Sequence, residues 1–536
     1  MKRLSGTESL FSFAPILCVI LASYFPLLGQ PTFSPDAHVI IPPLMHVNLG
    51  DYLRLLVSFE VVDFQPVRDL TFLIDIFFFK NFQLNTFAVT NVLLWALACF
   101  SLSRLARRTL PQCDRLPILL GVCAFAAYPL FSQAVGWTMA RKHVLAFALI
   151  LQATEFFFDW REGKRSWIFA YLLYAAAALS HPIVIFWPVW ALLQHCLLER
   201  RLEKKDLPVY GSFFTTMVLL LLTNYYYYVI LSPRVLEYYG HVRPSFSFSE
   251  TLLRLGFYFQ KLFSPFELAF VYYPRLSNSW FGFLLIPALG WFSWINRQKR
   301  QVLSWVFFSL TPFPVIMGLS IYDQYLLLTG AGLFLALTPW ISQLRRPTLL
   351  LGLLALVLFS VNTLIQARKW TSEDAISLRN FHSEPSCRSA IEAMNRQSQV
   401  SPELSEELLD YYARDNCFTV YQRLPPLEKP KAIAAFALFL FHSRGKLPEE
   451  KVLSELQQLG KLHYYPFLLY AVLLARRGDV QGVKQSTDFV EQKISGSLED
   501  LGPVVLKNLG PFCREHQIRS CEKLLTPSTL EAFPFL

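Results

Sequence analysis

Charge is scarce in this chain. Only 16% of its 536 residues are Asp, Glu, Lys or Arg, 54% are hydrophobic, and the mean hydropathy is +0.36. That shortage excludes an ordinary soluble globule, in which about a quarter of residues are charged. The chain also lacks a Gly-rich nucleotide loop, a zinc-spaced Cys/His cluster and a serine-hydrolase elbow, so no soluble catalytic domain is evident and no metal site is predicted. RNA- and DNA-binding motifs are missing as well. The net charge of +10 comes from Lys and Arg beside apolar runs, not from a basic patch, which excludes a nucleic-acid partner.

What is present is a series of long apolar runs. They occur near 9–29, 84–104, 116–133, 143–160, 209–231, 279–295, 302–319, 325–342 and 347–366, each able to cross about 30 Å of hydrocarbon as a helix. The stretch 167–198, broken at His181-Pro182, supplies two more, giving about eleven spans. The first run follows Lys2 and Arg3 but lacks a clean small-residue cleavage site, so it is read as a retained anchor.

The loops between the runs sort by charge. Alternate connections carry Arg104, Arg107, Arg108 and Arg115; Arg161, Lys164 and Arg165; Arg200, Arg201, Lys204 and Lys205; Arg297, Lys299 and Arg300; and Arg345 and Arg346. The positive-inside rule makes those loops cytoplasmic, with the N-terminus inside and the C-terminus outside. Two long outer segments follow, 30–83 and 232–278; 48–62, 66–79 and 250–272 within them read as helices lying at the interface.

Against this pattern, Arg141 and Lys142 begin the fourth span on the outer side, followed by His143. Cations there suit an anionic group such as a phosphate, with Arg as a planar fork and Lys as a point charge; snorkelling to lipid headgroups is the competing reading. Other ionisable groups gather at the same predicted face: Asp36 and His38, Arg68 and Asp69, His181, and Asp323 beside Tyr325. Charges at membrane level tend to mark a site.

Residues 1–369 therefore read as a multi-pass membrane domain and 370–536 as a separate extracytoplasmic helical domain, all-α throughout. In the second domain, AIAAFALFLFHSRGKLPEE and PFLLYAVLLARRGDVQGVK each set an apolar helix before an Arg-Gly turn. Gly445 and Gly478 stand 33 residues apart, near the period of about 34 of a tetratricopeptide repeat. An irregular array of helical hairpins is the other reading, and either offers a partner-binding surface. Proximity in sequence pairs Cys387 with Cys417 and Cys513 with Cys521 as disulfides, unless all four are buried free thiols.

This order of features resembles the GT-C glycosyltransferases, in particular the transmembrane and tetratricopeptide-repeat O-mannosyltransferase-like proteins. The residues that carry the likeness are PDAHVI leading to FQPVRDLTFLID, with Pro66 in place and Arg68 shifted by two, and Asn91 in the second span. Further on, YPLFSQAVGWTMARKHVL keeps Pro129, Val135, Trp137, Arg141 and Lys142, SHP at 180–182 stands where the family often has Ser-Lys-Glu, and Tyr325 where it has Arg-Tyr. The segment from Trp370 to Pro385 is similar to the family's passage into its first repeat.

The resemblance implies an inverting transfer from a polyprenyl-phosphate sugar to an acceptor presented outside. Asp36 would be the catalytic base, Arg141 and Lys142 would bind the donor phosphate, and His38, Arg68, Asp69, His143, His181, Asp323 and Tyr325 would line the site. No cofactor is implied firmly; the lipid-linked sugar is the donor substrate, and a divalent metal is left undetermined. Asp36 is followed by Ala37, however, and Tyr128, Phe131, Gln133 and Gln324 replace His, Arg or Glu of the family. A catalytically degenerate scaffold presenting its helical-repeat domain to a partner is therefore the alternative. A lipid or small-molecule transporter is the third, although repeated halves are not visible. Short loops suggest a bacterial inner membrane with a periplasmic C-terminal domain.

Overall fold

The computed structural model describes residues 6–29, 49–58, 64–79, 86–109, 115–199, 202–226, 248–265, 299–313, 323–341, 346–370 and 464–493. Short pieces at 268, 288, 291, 411, 453–454, 456–457, 509, 513 and 515–518 are described too. Every regular element among them is a helix, and no strand is present. The all-α expectation holds.

In order, the helices are α1 (Gly6–Gly29), α2 (Leu49–Ser58), α3 (Pro66–Phe79), α4 (Thr86–Thr109), α5 (Arg115–Ala126), α6 (Ser132–Gly136), α7 (Arg141–Arg161) and α8 (Trp167–Ser180). They continue as α9 (Trp187–Glu199), α10 (Leu207–Tyr225), α11 (Phe248–Phe263), α12 (Lys299–Leu310), α13 (Leu327–Ile341), α14 (Arg346–Lys369), α15 (Tyr464–Arg476) and α16 (Val480–Lys493). Short 3-10 turns at Pro129–Phe131, Thr138–Ala140, Pro182–Val184 and Asp323–Leu326 join some of them. The chain divides into two compact units, Met1–Glu384 and Pro385–Leu536. Trp370, expected to open the second domain, is fully buried in the first unit, where it lies against Gly136 so closely that a Cβ there would meet the indole at 2.6 Å.

In the first unit α7 packs along α4 and α8, α1 along α4 and α14, and α13 along α12. Aromatic side chains fill the seams. Trp95 stacks on Phe125, and its indole N–H donates to the Ala126 carbonyl, while Trp187 and Trp190 bridge Phe157 to Trp305 and Phe308. Gly332 lets α13 approach α12 closely: an added Cβ would lie 2.7 Å from the Ser309 backbone nitrogen, the small-residue contact common between membrane helices.

Among the described residues, two helices, Phe87–Thr109 and Leu207–Tyr225, are long and apolar enough to cross a membrane, and the bent pair Arg115–Ala126 with Pro129–Gly136 makes a third if it is one span. Trp167–Ser180 has 14 residues, about 21 Å at 1.5 Å per residue, short of a full crossing. The break expected at His181-Pro182 is there: α8 ends at Ser180 and a 3-10 turn follows.

The most informative helix is α3. It buries Arg68, Asp69, Phe72 and Asp75 and exposes Leu70, Ile74, Phe77 and Phe78. A helix in water does the reverse. The helix expected over 66–79 is there, with its polar stripe turned into the bundle and its apolar stripe turned outward. α14 follows the same rule, exposing Leu350, Leu353, Leu354, Val357, Leu358, Val361 and Ile365, while its Thr363 hydroxyl donates to the Ala127 carbonyl inside.

In the second unit, α15 and α16 pack as one antiparallel hairpin, with Phe467 against Phe489. Gly478 turns the chain at φ +74°, a conformation that suits glycine, and the Asp479 side chain caps α16 by accepting from the Gly482 N–H. Gly445 and the first expected repeat lie outside the described residues. So do Cys387, Cys417 and Cys521; Cys513 is in a disulfide whose partner is also outside them.

Candidate functional site

The candidate site lies at the end of the first unit where α4 and α7 begin. The two helices run in the same direction, since the start of α7 contacts the start of α4 and their last turns are joined by ion pairs. Arg141 opens α7 after a 3-10 turn over Thr138–Ala140. Its guanidinium is fully buried, 2.6 Å from the Asp75 carboxylate of α3. Nε donates to Asn91 Oδ1 at 2.8 Å, Nη2 to the Phe87 carbonyl at 2.8 Å, and the Phe72 ring covers the guanidinium at 4.3 Å. Thr90 donates to the other Asp75 oxygen.

This arrangement departs from the fork expected to meet a phosphate: the Arg141 donors are taken up inside the bundle. Removing one member of a buried pair of this kind costs about 3–5 kcal/mol, so Arg141 and Asp75 fasten α3 to α7. Asp75 was not singled out by sequence reading. The signal was available, because Arg68, Phe72 and Asp75 follow the i, i+4, i+7 stripe opposite an apolar one.

A second buried pair sits about two turns back along α3. Arg68 meets Asp69 at 2.6 Å and donates to Gln65, and the Tyr52 hydroxyl of α2 donates to Asp69 at 2.8 Å. Neighbouring residues in sequence thus form the ion pair, and α2 is tied to it.

Just after Arg141 on α7, three of the expected site residues come together from separate parts of the chain. His143 lies in the first turn of α7, His181 at the break after α8, and Tyr325 in the 3-10 turn before α13. The ring centroids of His143 and His181 are 4.0 Å apart, and those of His143 and Tyr325 5.2 Å apart. All three are buried. His181 Nδ1 accepts from the Ile183 backbone N–H, which leaves its proton on Nε2. Gln133 Oε1 accepts from the Asp323 N–H at 2.7 Å, which anchors the turn carrying Asp323, Gln324 and Tyr325.

No family model, curated protein or solved structure matches the chain. The likeness to GT-C enzymes therefore stands on its motif residues. Of those named for the site, Asp36 and His38 lie outside the described residues. Among the described residues, no group of three or more His, Cys, Asp or Glu could hold a metal ion. The arrangement offers buried hydrogen-bonding groups and aromatic faces, with its charges largely taken up in pairs.

The opposite end of the unit collects the basic residues that sequence reading placed on one side. Arg104 pairs with Glu155, Arg108 with Asp159 and Glu162, Arg165 with Asp159, and Arg161 with Asp206. Gln301 at the start of α12 reaches the Thr109 carbonyl at the end of α4, so four of the predicted cytoplasmic connections meet at this end.

Proposed function

We propose that the chain is a polytopic membrane protein of GT-C glycosyltransferase type, with about eleven spans, that transfers a sugar from a polyprenyl-phosphate donor to an extracytoplasmic acceptor. The observation that carries this reading is the buried His143–His181–Tyr325 cluster, which lies at the end of the bundle opposite the basic residues. The charges turned inward and apolar residues turned outward along α3 support a lipid surround.

On this reading Asp36 takes the proton of the acceptor hydroxyl as its oxygen bonds to the anomeric carbon and the bond to the lipid-phosphate oxygen breaks. Lys142 holds the departing phosphate, while Arg141, engaged by Asp75, supports α7 and does not contact the donor. The helical C-terminal unit engages the acceptor or a partner protein. The basic end would face the cytoplasm of a bacterial inner membrane, and the C-terminal unit the periplasm.

Purified protein supplied with polyprenyl-phosphate sugars should transfer sugar to an envelope acceptor, Asp36→Ala should abolish transfer without abolishing donor binding, and Lys142→Ala should weaken binding. Absence of transfer with every sugar donor would overturn the enzyme reading. A second reading, a degenerate scaffold of the same fold, is favoured by the closure of Arg141 onto Asp75. It expects donor binding without turnover, indifference to Asp36→Ala, and loss of function on deleting 385–536.

A further inference from the structure

Among the buried polar side chains of the cluster, His143 is distinctive. Its ring is 2% exposed, and neither Nδ1 nor Nε2 has a hydrogen-bond partner. The neighbouring groups are differently placed: Arg68 is closed on Asp69, Arg141 on Asp75, and His181 accepts from Ile183. Buried polar atoms are nearly always paired. A ring with both nitrogens unmet is suited to a partner that arrives from outside the chain.

The two nitrogens restrict what that partner can be. With neither nitrogen bonded to a carboxylate, the ring in its neutral form offers one N–H donor and one bare acceptor on well-separated edges. An ionised phosphate carries acceptors only, so it would meet the donor and leave the other edge unsatisfied. A hydroxyl both donates and accepts, and a molecule with several hydroxyls can meet both edges. Tyr325 supplies an aromatic face 5.2 Å away. Its neighbour Gln324, on the same short turn, adds a buried Oε1 that also has no partner, one more acceptor for a hydroxyl.

We propose that His143, together with Tyr325 and Gln324, forms a hydroxyl-reading subsite for the sugar ring of the donor, distinct from the cation that holds its phosphate. This rests on the lipid-donor reading above and adds to it which part of the donor these residues recognise. A site built to hydrogen-bond hydroxyls discriminates strongly against a ligand lacking them, because its own polar atoms are then left unpaired.

The test compares binding of polyprenyl-phosphate mannose, polyprenyl-phosphate glucose and bare polyprenyl phosphate to purified full-length protein. His143→Phe should weaken binding of the preferred sugar-bearing lipid by about 10-fold or more and leave bare polyprenyl phosphate within about 2-fold. His143→Gln, which keeps a donor and an acceptor, should retain most of the discrimination; it also reads the subsite if the Phe variant does not fold. Equal weakening of sugar-bearing and bare lipid, or discrimination unchanged in both variants, would overturn the subsite while leaving the lipid-donor reading standing. Wild-type protein that binds none of the three lipids would overturn both.

Discussion

The two ends of the first unit use the same residue types in opposite ways. At the basic end, Arg108 holds Asp159 and Glu162, and Arg104 holds Glu155, with side chains between 8% and 53% exposed. At the other end, Arg141–Asp75 and Arg68–Asp69 are at most 5% exposed, and His143 lies beside them with no hydrogen-bond partner. Solvated pairs are replaceable and contribute little; buried ones fix geometry because breaking them strands a charge. The contrast identifies the basic end as a polar rim and the other as the place where the chain has committed its geometry.

The comparison can be tested by breaking each end in turn. The largest effect is expected for Asp75→Ala, which strands the Arg141 guanidinium and should cost about 3–5 kcal/mol, seen as a large fall in thermal midpoint in detergent. Adding Arg141→Met to that variant should recover part of the loss. If Asp75→Ala changes the midpoint no more than a surface substitution does, the buried lock is not structural. Tyr52→Phe removes the hydroxyl that donates to Asp69 and should cost about 1 kcal/mol in the same melt, without altering the response to Asp75→Ala.

At the basic end, where the pairs keep partial access to water, Arg108→Ala should lower the midpoint less than Asp75→Ala does, and the loss should shrink in high salt. Salt should scarcely change the cost of Asp75→Ala. Equal salt sensitivity at the two ends would contradict the distinction.

The smallest effect concerns Glu162. Burial opposes its charge, but hydrogen bonds from Lys164 and Arg108 outweigh that and hold its carboxyl below the ordinary value. A lowered carboxyl contributes stability above its unfolded pKa, about 4.3, and that contribution is lost as pH falls through the folded value. The thermal midpoint of wild type should therefore decline more than that of Arg108→Ala as pH falls below about 4.3. Parallel declines would show that Arg108 does not hold the carboxyl.

The architecture was legible in the sequence wherever the signal was carried by long stretches. The apolar runs marked α4 and α10, the Pro182 break located the end of α8, and charge alternation gathered Arg104, Arg108 and Arg161 with their partners at one end. Side-chain partnership was less legible, because the residues that meet are far apart in sequence. Arg141 looked like a phosphate ligand from its position at a helix start, yet its partner Asp75 lies 66 residues earlier. The inward turn of α3 was hidden for a related reason: mixed charge and apolar residues do not say which of a helix's two stripes faces the bundle. Only the buried side of Arg68, Asp69 and Asp75 separates the two. His143, His181 and Tyr325 were each singled out, but their meeting is a property of the fold.

The measurement that tests the central claim most directly is equilibrium binding of radiolabelled polyprenyl-phosphate mannose, and of its glucose counterpart, to purified full-length protein, with release of sugar followed in the same samples. The account predicts saturable binding of at least one of them, tighter than bare polyprenyl phosphate, with sugar released on addition of an envelope acceptor and release stopped by Asp36→Ala. Failure of both sugar-bearing lipids to bind would contradict it.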